Sequence, residues 1–362
     1  MHDARQDRPD ARAGVIRRVA PKMFWGGLGA YALAASALCL LRLVLGDRLP
    51  PVLFATQLAH LWLAPVPLLA LASWRFARPR LALGLALPAV LFIADVGPWL
   101  LPARGALPLD RRPIVSVLSW NLGYSNVDIE QVVSELRRFE ADVLLLQEVS
   151  PEAYETLIRA IGDRYPSHHH DPHEQLLRSK AWFAVHAPTS AVFETAVPGT
   201  GGTSPRGELV FEFDGAPLHL SNNHASLGLA TLGSAHWAAD GFSALAEQYA
   251  ARGSGVIAGD FNTTERTPLM QHFAASGLVD SHREASGGPG FSFPVAGRYR
   301  GMPFGPFVRI DYLWHTADLE CVSIERGAPG GSDHIALLGV FRRVRGGSAA
   351  QVEVGRHTGV ER

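Results

Sequence analysis

Three apolar runs, at about residues 24–46, 52–73 and 81–101, crowd into the first hundred positions of this 362-residue chain and restrict what it can become. Each is near the ~20 residues a helix needs to cross the hydrocarbon core of a bilayer. Buried helices of a soluble protein are the plainer alternative, but three runs in succession, parted only by short polar turns, argue against it. The first run also exceeds the ~7–15 residues of a signal-peptide apolar core. A lipoprotein signal at Cys39 is disfavoured by the bulky Leu38 before it. The expectation is a basic tail at 1–23 and three transmembrane helices over 24–101.

Positive charge sets the orientation. Arg5, Arg8, Arg12, Arg17, Arg18 and Lys22 precede the first run, and Arg75, Arg78 and Arg80 separate the second from the third. Between the first and second runs stands Arg48, beside Asp47. Tail and second loop therefore belong in the cytoplasm, and an odd number of spans exports the rest. Arg104, Arg111 and Arg112 just beyond the third run weigh the other way. Within the runs, Arg42, Gln57, His60 and Asp95 are polar. Arg42 and Asp95 fall near the outer ends, where a long side chain reaches the interface cheaply.

With 33 basic and 34 acidic side chains and a pI near 7.0, the chain lacks the overall basic footprint of a duplex binder. Its two cysteines exclude a disulfide framework. Beyond residue 110 the pattern changes. Residues 114–119 alternate and are β-branched, as a half-buried strand requires. Apolar positions 129, 132, 133, 136 and 139 mark an amphipathic helix. Residues 142–147 read as a strand apolar on both faces, and further strands are expected at 181–186, 208–213, 217–222, 255–259, 309–314 and 335–341. Helices are expected at 151–161, 234–252 and 267–276. Strands parted by single helices, with antiparallel pairs between, predict an α/β sandwich of two sheets faced by helices over 112–345. The segments 1–20 and 346–362 read as disordered tails.

Several strand ends carry the chemistry. Glu148 follows Val143–Gln147, and Asn121 follows Ser119-Trp120. Val256-Ile257-Ala258-Gly259 runs into Asp260-Phe261-Asn262, where alternation turns Asp260 and Asn262 to one side and Gly259 permits close backbone approach. Asp333-His334 lead into another strand, and Asp311 is an acid within an apolar one. Oxygen donors with few histidines favour Mg²⁺, Mn²⁺ or Ca²⁺ over Zn²⁺. Such an ion neutralises a phosphoryl group while an Asp positions attacking water and a carboxylate-backed histidine donates to developing charge.

Ser119-Trp120-Asn121, Leu145-Leu146-Gln147-Glu148, Asn222-Asn223-His224, Gly259-Asp260-Phe261-Asn262, Ile310-Asp311-Tyr312 and Gly331-Ser332-Asp333-His334 resemble, in order, the motifs of the endonuclease/exonuclease/phosphatase superfamily. The resemblance implies a DNase I-like sandwich and a Mg²⁺-dependent hydrolase of phosphoric esters, with Mn²⁺ as the substitute. It implies Glu148 as principal metal ligand with Asn121 and Asp333 nearby. Asp260 would activate water, and Asn262 would hold that water and a phosphate oxygen. His334, fixed by Asp311, would stabilise the phosphorane-like state, with His224 on the phosphate's other side; a plain surface histidine is the alternative for His224. The chain departs from the family at 176–180, so no role falls to Arg178. His168, His169, His170 and His173 are either a transition-metal cluster or a solvated loop. The stretch 286–308 is either a connector or a substrate loop with Arg298, Arg300 and Arg309 as anion contacts.

The expected function is hydrolysis of a phosphomonoester or phosphodiester at the outer face of the cytoplasmic membrane, on a lipid-linked phosphate or phospholipid, with the bilayer as partner and no protein partner. An extracytoplasmic nuclease acting on nucleic acid is the alternative, and an inactive binding scaffold a third reading.

Overall fold

Alternation along the strands decides what each sheet face touches. In β1 (Val115–Asn121) and β2 (Val143–Gln147), Val117, Val143 and Leu145 turn toward the second sheet, while Leu118, Leu144 and Leu146 turn toward helices. Such strands bury both faces, which is why β2 reads as an unbroken apolar run. The structure, a computed structural model, describes residues 10–45, 49–101, 104–124, 127–172, 179–194, 206–225 and 235–344.

β1 and β2 are parallel and are joined by α7 (Ile129–Phe139), which starts where the Asp128 side chain accepts from Gln131 N–H and stops at Glu140 in the left-handed region, φ 50°. α8 (Pro151–Ile161) begins on Ser150, whose hydroxyl accepts from Ala153 N–H, with Pro151 in the first turn. Both helices cover the outer face of the first sheet through Val132, Leu136, Ala153 and Leu157. That sheet is completed by β3 (Ser167–Asp171), β4 (Lys180–Ala184), β11 (Leu319–Arg326) and β12 (Leu337–Arg343), in the order β11-β12-β1-β2-β4-β3.

The second sheet holds β5 (Ser190–Glu194), β6 (Arg206–Phe213), β7 (Ala216–His224), β8 (Gly255–Asp260), β9 (Val279–Asp280) and β10 (Asp311–His315), in the order β5-β6-β7-β8-β10-β9. Its parallel pair, β7 and β8, is joined through α9 (Ala235–Arg252), which with α10 (Pro268–Ala275) covers the outer face around Phe261, Phe273 and Trp314. α11 (Ser281–Ala285) is a short turn after β9. Between the sheets lies a layer of Val117, Leu145, Leu209, Leu220, Val256, Leu313 and Phe341. The expected two-sheet sandwich faced by helices is therefore the observed fold.

Two readings change. His168, His169 and His170 belong to the edge strand β3, not to a loop, because β4 pairs with them from His168↔Phe183 to His170↔Ala181. His173 and Arg178 lie outside the described residues. The N-terminal hundred residues also differ from three regular spans. α1 (Asp10–Leu45) includes Lys22–Leu45, the one described helix long and apolar enough to cross a membrane, and it begins inside the segment expected to be a disordered tail. The second run is bent by 66° between α2 (Pro50–Gln57) and the stretch Ala59–Arg75, which comprises α3 (Ala59–Leu63) and α4 (Val66–Arg75). The third splits at Leu85 into α5 (Pro79–Gly84) and the 15-residue α6 (Ala86–Leu100). The helices pack on one another through Leu28, Ala32, Ala59, Leu63 and Leu85. They meet the sandwich where the His60 ring nitrogen bonds Phe307 C=O at 2.7 Å and the Trp99 indole donates to Glu265 at 3.1 Å.

Candidate active site

Register explains why chemistry-bearing residues far apart in sequence meet. Asn121 pairs with Gln147, His224 with Asp260, and Asp260 with Asp311. β1, β2, β7 and β8 end at this edge, while β10 and β12 run antiparallel to their neighbours and begin there. One end of both sheets thus gathers Asn121, Glu148, His224, Asp260, Asp311, Asp333 and His334.

Close approach is built into the backbone. A Cβ on Gly259 would lie 1.9 Å from Asn223 C=O, so only glycine lets β8 come this near β7 just before Asp260. Glu148 and Asn262 take left-handed backbone angles, φ 52° and 51°, which are rare for residues with side chains and concentrate at functional sites. The strand does not continue from Asp260 to Asn262 as alternation had suggested. A turn brings the two together instead: Asn262 N–H donates to Asp260 Oδ1 at 2.7 Å and its side-chain amide to Oδ2 at 3.1 Å. Across the sheets, Gln147 Nε2 donates to Asn222 Oδ1 at 2.8 Å, and Asn222 donates to the carbonyls of Leu146 and Ala181. These buried bonds lock the sheets together beneath the site.

The Asn121 amide nitrogen donates to Glu148 Oε1 at 3.1 Å and to Asp260 Oδ2 at 2.9 Å, while its oxygen accepts from Gly123 N–H. Asn121 therefore ties two carboxylates together through its amide nitrogen. His224 Nε2 stands 3.4 Å from Glu148 and 3.6 Å from Asp260, with the Asn262 amide 3.2 Å away. His334 Nδ1 bonds both oxygens of Asp311, at 2.9 and 3.1 Å, which leaves Nε2 3.8 Å from Asp260 Oδ2. Asp333 packs its carboxylate against Gly123. Glu148, His224 and Asp260 form one group with donor atoms within 4.8 Å of one another, and Asp260, Asp311 and His334 form another. Asp333 belongs to neither group, although its charge acts on Glu148.

The electrostatics follow from crowding in a dry place. Burial pushes the Glu148 carboxyl upward and Asp333 and Asp311 add to it, against the amide of Asn121 and the charge of His334. Burial likewise raises Asp260, opposed by His334. Burial disfavours the imidazolium of His334, but Asp311 and Asp260 outweigh it and hold the ring protonated well above the ordinary histidine range. Glu148, Asp260, Asp311 and Asp333 bring four carboxyl groups together, and a cation among them would favour their ionised forms. A donor set dominated by carboxylate oxygens, with His224 and His334 beside it, suits a divalent cation.

Some supporting residues carried no sequence signal. The Phe293 ring sits 4.7 Å from that of His334 and backs its outer face. Ser292 Oγ accepts from Asp311 N–H, and Trp120, which stands inside the first motif, donates from its indole to His334 C=O. Ser332, which stands inside the last motif, accepts from His334 N–H and donates to Asn121 C=O. Of the basic residues considered as anion contacts, Arg309 is buried and paired with Asp280 at 2.6 Å, so it is structural. Arg298 pairs with Asp128 at 3.1 Å, and Arg300 lies over the Tyr299 ring. The histidines of β3 are also accounted for, with His168 bonded to the Tyr154 hydroxyl and His170 to Val149 C=O.

The profile of the endonuclease/exonuclease/phosphatase family matches residues 118–334. No curated protein matches the sequence. Among solved structures, an endonuclease/exonuclease/phosphatase from Beutenbergia cavernae DSM 12333 superposes with a TM-score of 0.50 at 19% identity, covering 64% of this chain and 72% of its own. The family protein from Bacteroides vulgatus gives 0.52 at 16%, covering 64% of this chain and all of its own, and that from Bacteroides thetaiotaomicron 0.50 at 15%, covering 65% and all. At these identities the likeness is one of fold.

Proposed function

The chain belongs to the endonuclease/exonuclease/phosphatase family of phosphoester hydrolases, and from that membership we propose a Mg²⁺-dependent enzyme that cleaves a phosphate ester presented at a membrane surface. The observation that carries the reading is the convergence of Asp260, held by Asn121 and Asn262, on the Asp311-backed ring of His334.

Glu148 and Asp333 would hold the cation, with Asn121 steering the Glu148 carboxylate. Bound there, Mg²⁺ or Mn²⁺ would neutralise phosphoryl oxygens and the charge building on the leaving oxygen. Asp260 accepts a proton from water as its oxygen attacks phosphorus, and Asn262 orients that water. The phosphorus–oxygen bond on the far side breaks and the leaving oxygen departs as an alkoxide that takes a proton from solvent. His334 donates from Nε2 to a phosphoryl oxygen, and Asp311 holds the ring so that this nitrogen faces the reacting group. His224 and Asn262 contact the same phosphate from the other side.

Membrane attachment is supported by the 24 residues of Lys22–Leu45 and by an apolar exterior on the helical part, where Leu33, Val44, Leu68, Leu83 and Leu100 are each more than 70% exposed. In this reading residues 24–101 are the anchor, 112–345 the catalytic domain, and the domain faces away from the cytoplasm. Tethering favours a lipid-linked phosphate or a phospholipid over nucleic acid. The test is a turnover screen of the full chain in detergent micelles, with and without Mg²⁺, read as phosphate release from lipid and sugar phosphates, headgroup release from phospholipids and strand cleavage of DNA. We expect Mg²⁺-dependent turnover of a lipid phosphate, reduced about 10²- to 10⁴-fold in His334→Ala. Turnover confined to DNA would move the assignment to a nuclease, and equal inactivity of both proteins on every substrate would refute the enzyme.

A further inference from the structure

A second polar site lies between the helical part and the sandwich and shares no residue with the active site. A cavity of about 270 Å³ is bounded by Arg42, Leu43, Leu53, Thr56, Arg266 and Gln271. Arg266 follows the active-site turn and is only 5% exposed, yet its Nε and Nη2 are shielded from solvent without a hydrogen bond. The nearest carboxylate, Asp95, is already engaged by both terminal nitrogens of Arg42 at 2.7 and 2.8 Å, and it stands 3.6 Å from Arg266 Nε. Glu265, 3.9 Å from Arg266, is shared with Arg283 and Arg309. In this connected set the guanidiniums of Arg42, Arg266, Arg283 and Arg309 face the carboxylates of Asp95, Glu265 and Asp280. Cations outnumber anions, and a buried excess charge with unsatisfied donors is costly unless an anion joins it.

We propose that this cavity binds the phosphate of an anionic phospholipid. A guanidinium presents a planar fork of donors that matches a phosphate's oxygens; that of Arg266 borders the cavity with two nitrogens lacking a hydrogen bond, Arg42 adds its charge while its terminal nitrogens hold Asp95, and Thr56 and Gln271 complete the lining. Leu43 and Leu53 border the same cavity. Arg42 lies in the last turn of α1, close to the end of its apolar stretch, so the cavity falls at the level where lipid headgroups meet acyl chains. The phosphate chemistry stands on the side chains alone, whereas the lipid as its source rests on the membrane reading above.

The test uses the full chain in neutral detergent micelles with EDTA, so that binding is read without turnover. Native mass spectrometry and thermal unfolding are followed during titration with phosphatidylglycerol, diacylglycerol or inorganic phosphate. We expect saturable binding of one phosphatidylglycerol with a rise in Tm, no such rise with diacylglycerol, and at least a tenfold weaker affinity in Arg266→Met and Arg42→Met. Arg266→Lys keeps the charge but loses the fork and should fall between. If Arg266→Met does not fold, Arg42→Met and Gln271→Leu carry the same expectation. A saturable response to inorganic phosphate with the same dependence on Arg266 upholds the phosphate site and assigns it to free phosphate. Equal binding of diacylglycerol, or affinities unchanged in all variants, would overturn the proposal. Failure of the hydrolase reading would appear instead in the turnover screen.

Discussion

Asp311 is placed to act through His334, and a double-mutant cycle tests that directly. The Asp311 carboxylate bonds His334 Nδ1 with both oxygens at 2.9 and 3.1 Å and is 2% exposed. Asp311→Asn keeps the shape but removes the charge. Hydrogen bonds to charged groups are worth about 1.5–3 kcal/mol, which at 1.36 kcal/mol per tenfold becomes a loss of about 10- to 150-fold in kcat/KM. In a His334→Ala background there is no ring left to orient, so the same substitution should cost almost nothing. The coupling energy should then equal the whole effect of the single Asp311→Asn change. The assay is kcat/KM for phosphate release under Mg²⁺, with thermal unfolding confirming that each variant is folded. If Asp311→Asn still cost tenfold without His334, Asp311 would be acting on the metal site or the fold, and the dyad argument would fail.

Other outcomes follow from the same structure. Gly259→Ala should destabilise by at least about 1–3 kcal/mol from backbone strain alone, because its Cβ meets Asn223 C=O; urea unfolding reads this, and a neutral result would contradict the close approach of β7 and β8. EDTA should abolish turnover, with Mg²⁺ or Mn²⁺ restoring it; full activity after exhaustive chelation would exclude the metal. For Asp280, burial opposes ionisation but Arg309 outweighs it, so its folded-state pKa lies below the unfolded value of about 3.9. That stabilisation is present above about pH 4 and is lost as pH falls through the folded-state value. Asp280→Asn should therefore lower Tm at neutral pH and flatten its decline in acid, and an unchanged acid limb would refute the pairing.

Legibility differed from element to element. α8 was readable to the residue and α7 nearly so because apolar spacing is local. β3 was not, since Ser-His-His-His-Asp has no strand pattern of its own and pairs only because β4 offers an edge. The apolar runs signalled membrane-length segments, but not the 66° bend between Gln57 and Ala59, near which His60 reaches across to Phe307. Arg309 read as a candidate anion contact because nothing local reveals its burial against Asp280.

By itself the sequence determined which residue types stand at the strand ends, and hence an oxygen-rich site for phosphate chemistry, because strand and helix patterns depend on near neighbours. Only the tertiary structure decided which of them touch. Asn121 bridges Glu148 and Asp260 through its amide nitrogen, and Phe293 backs His334. Those pairings depend on the register between strands separated by as many as 139 residues, as from Asn121 to Asp260. They are set by how the two sheets pack, which no local pattern encodes.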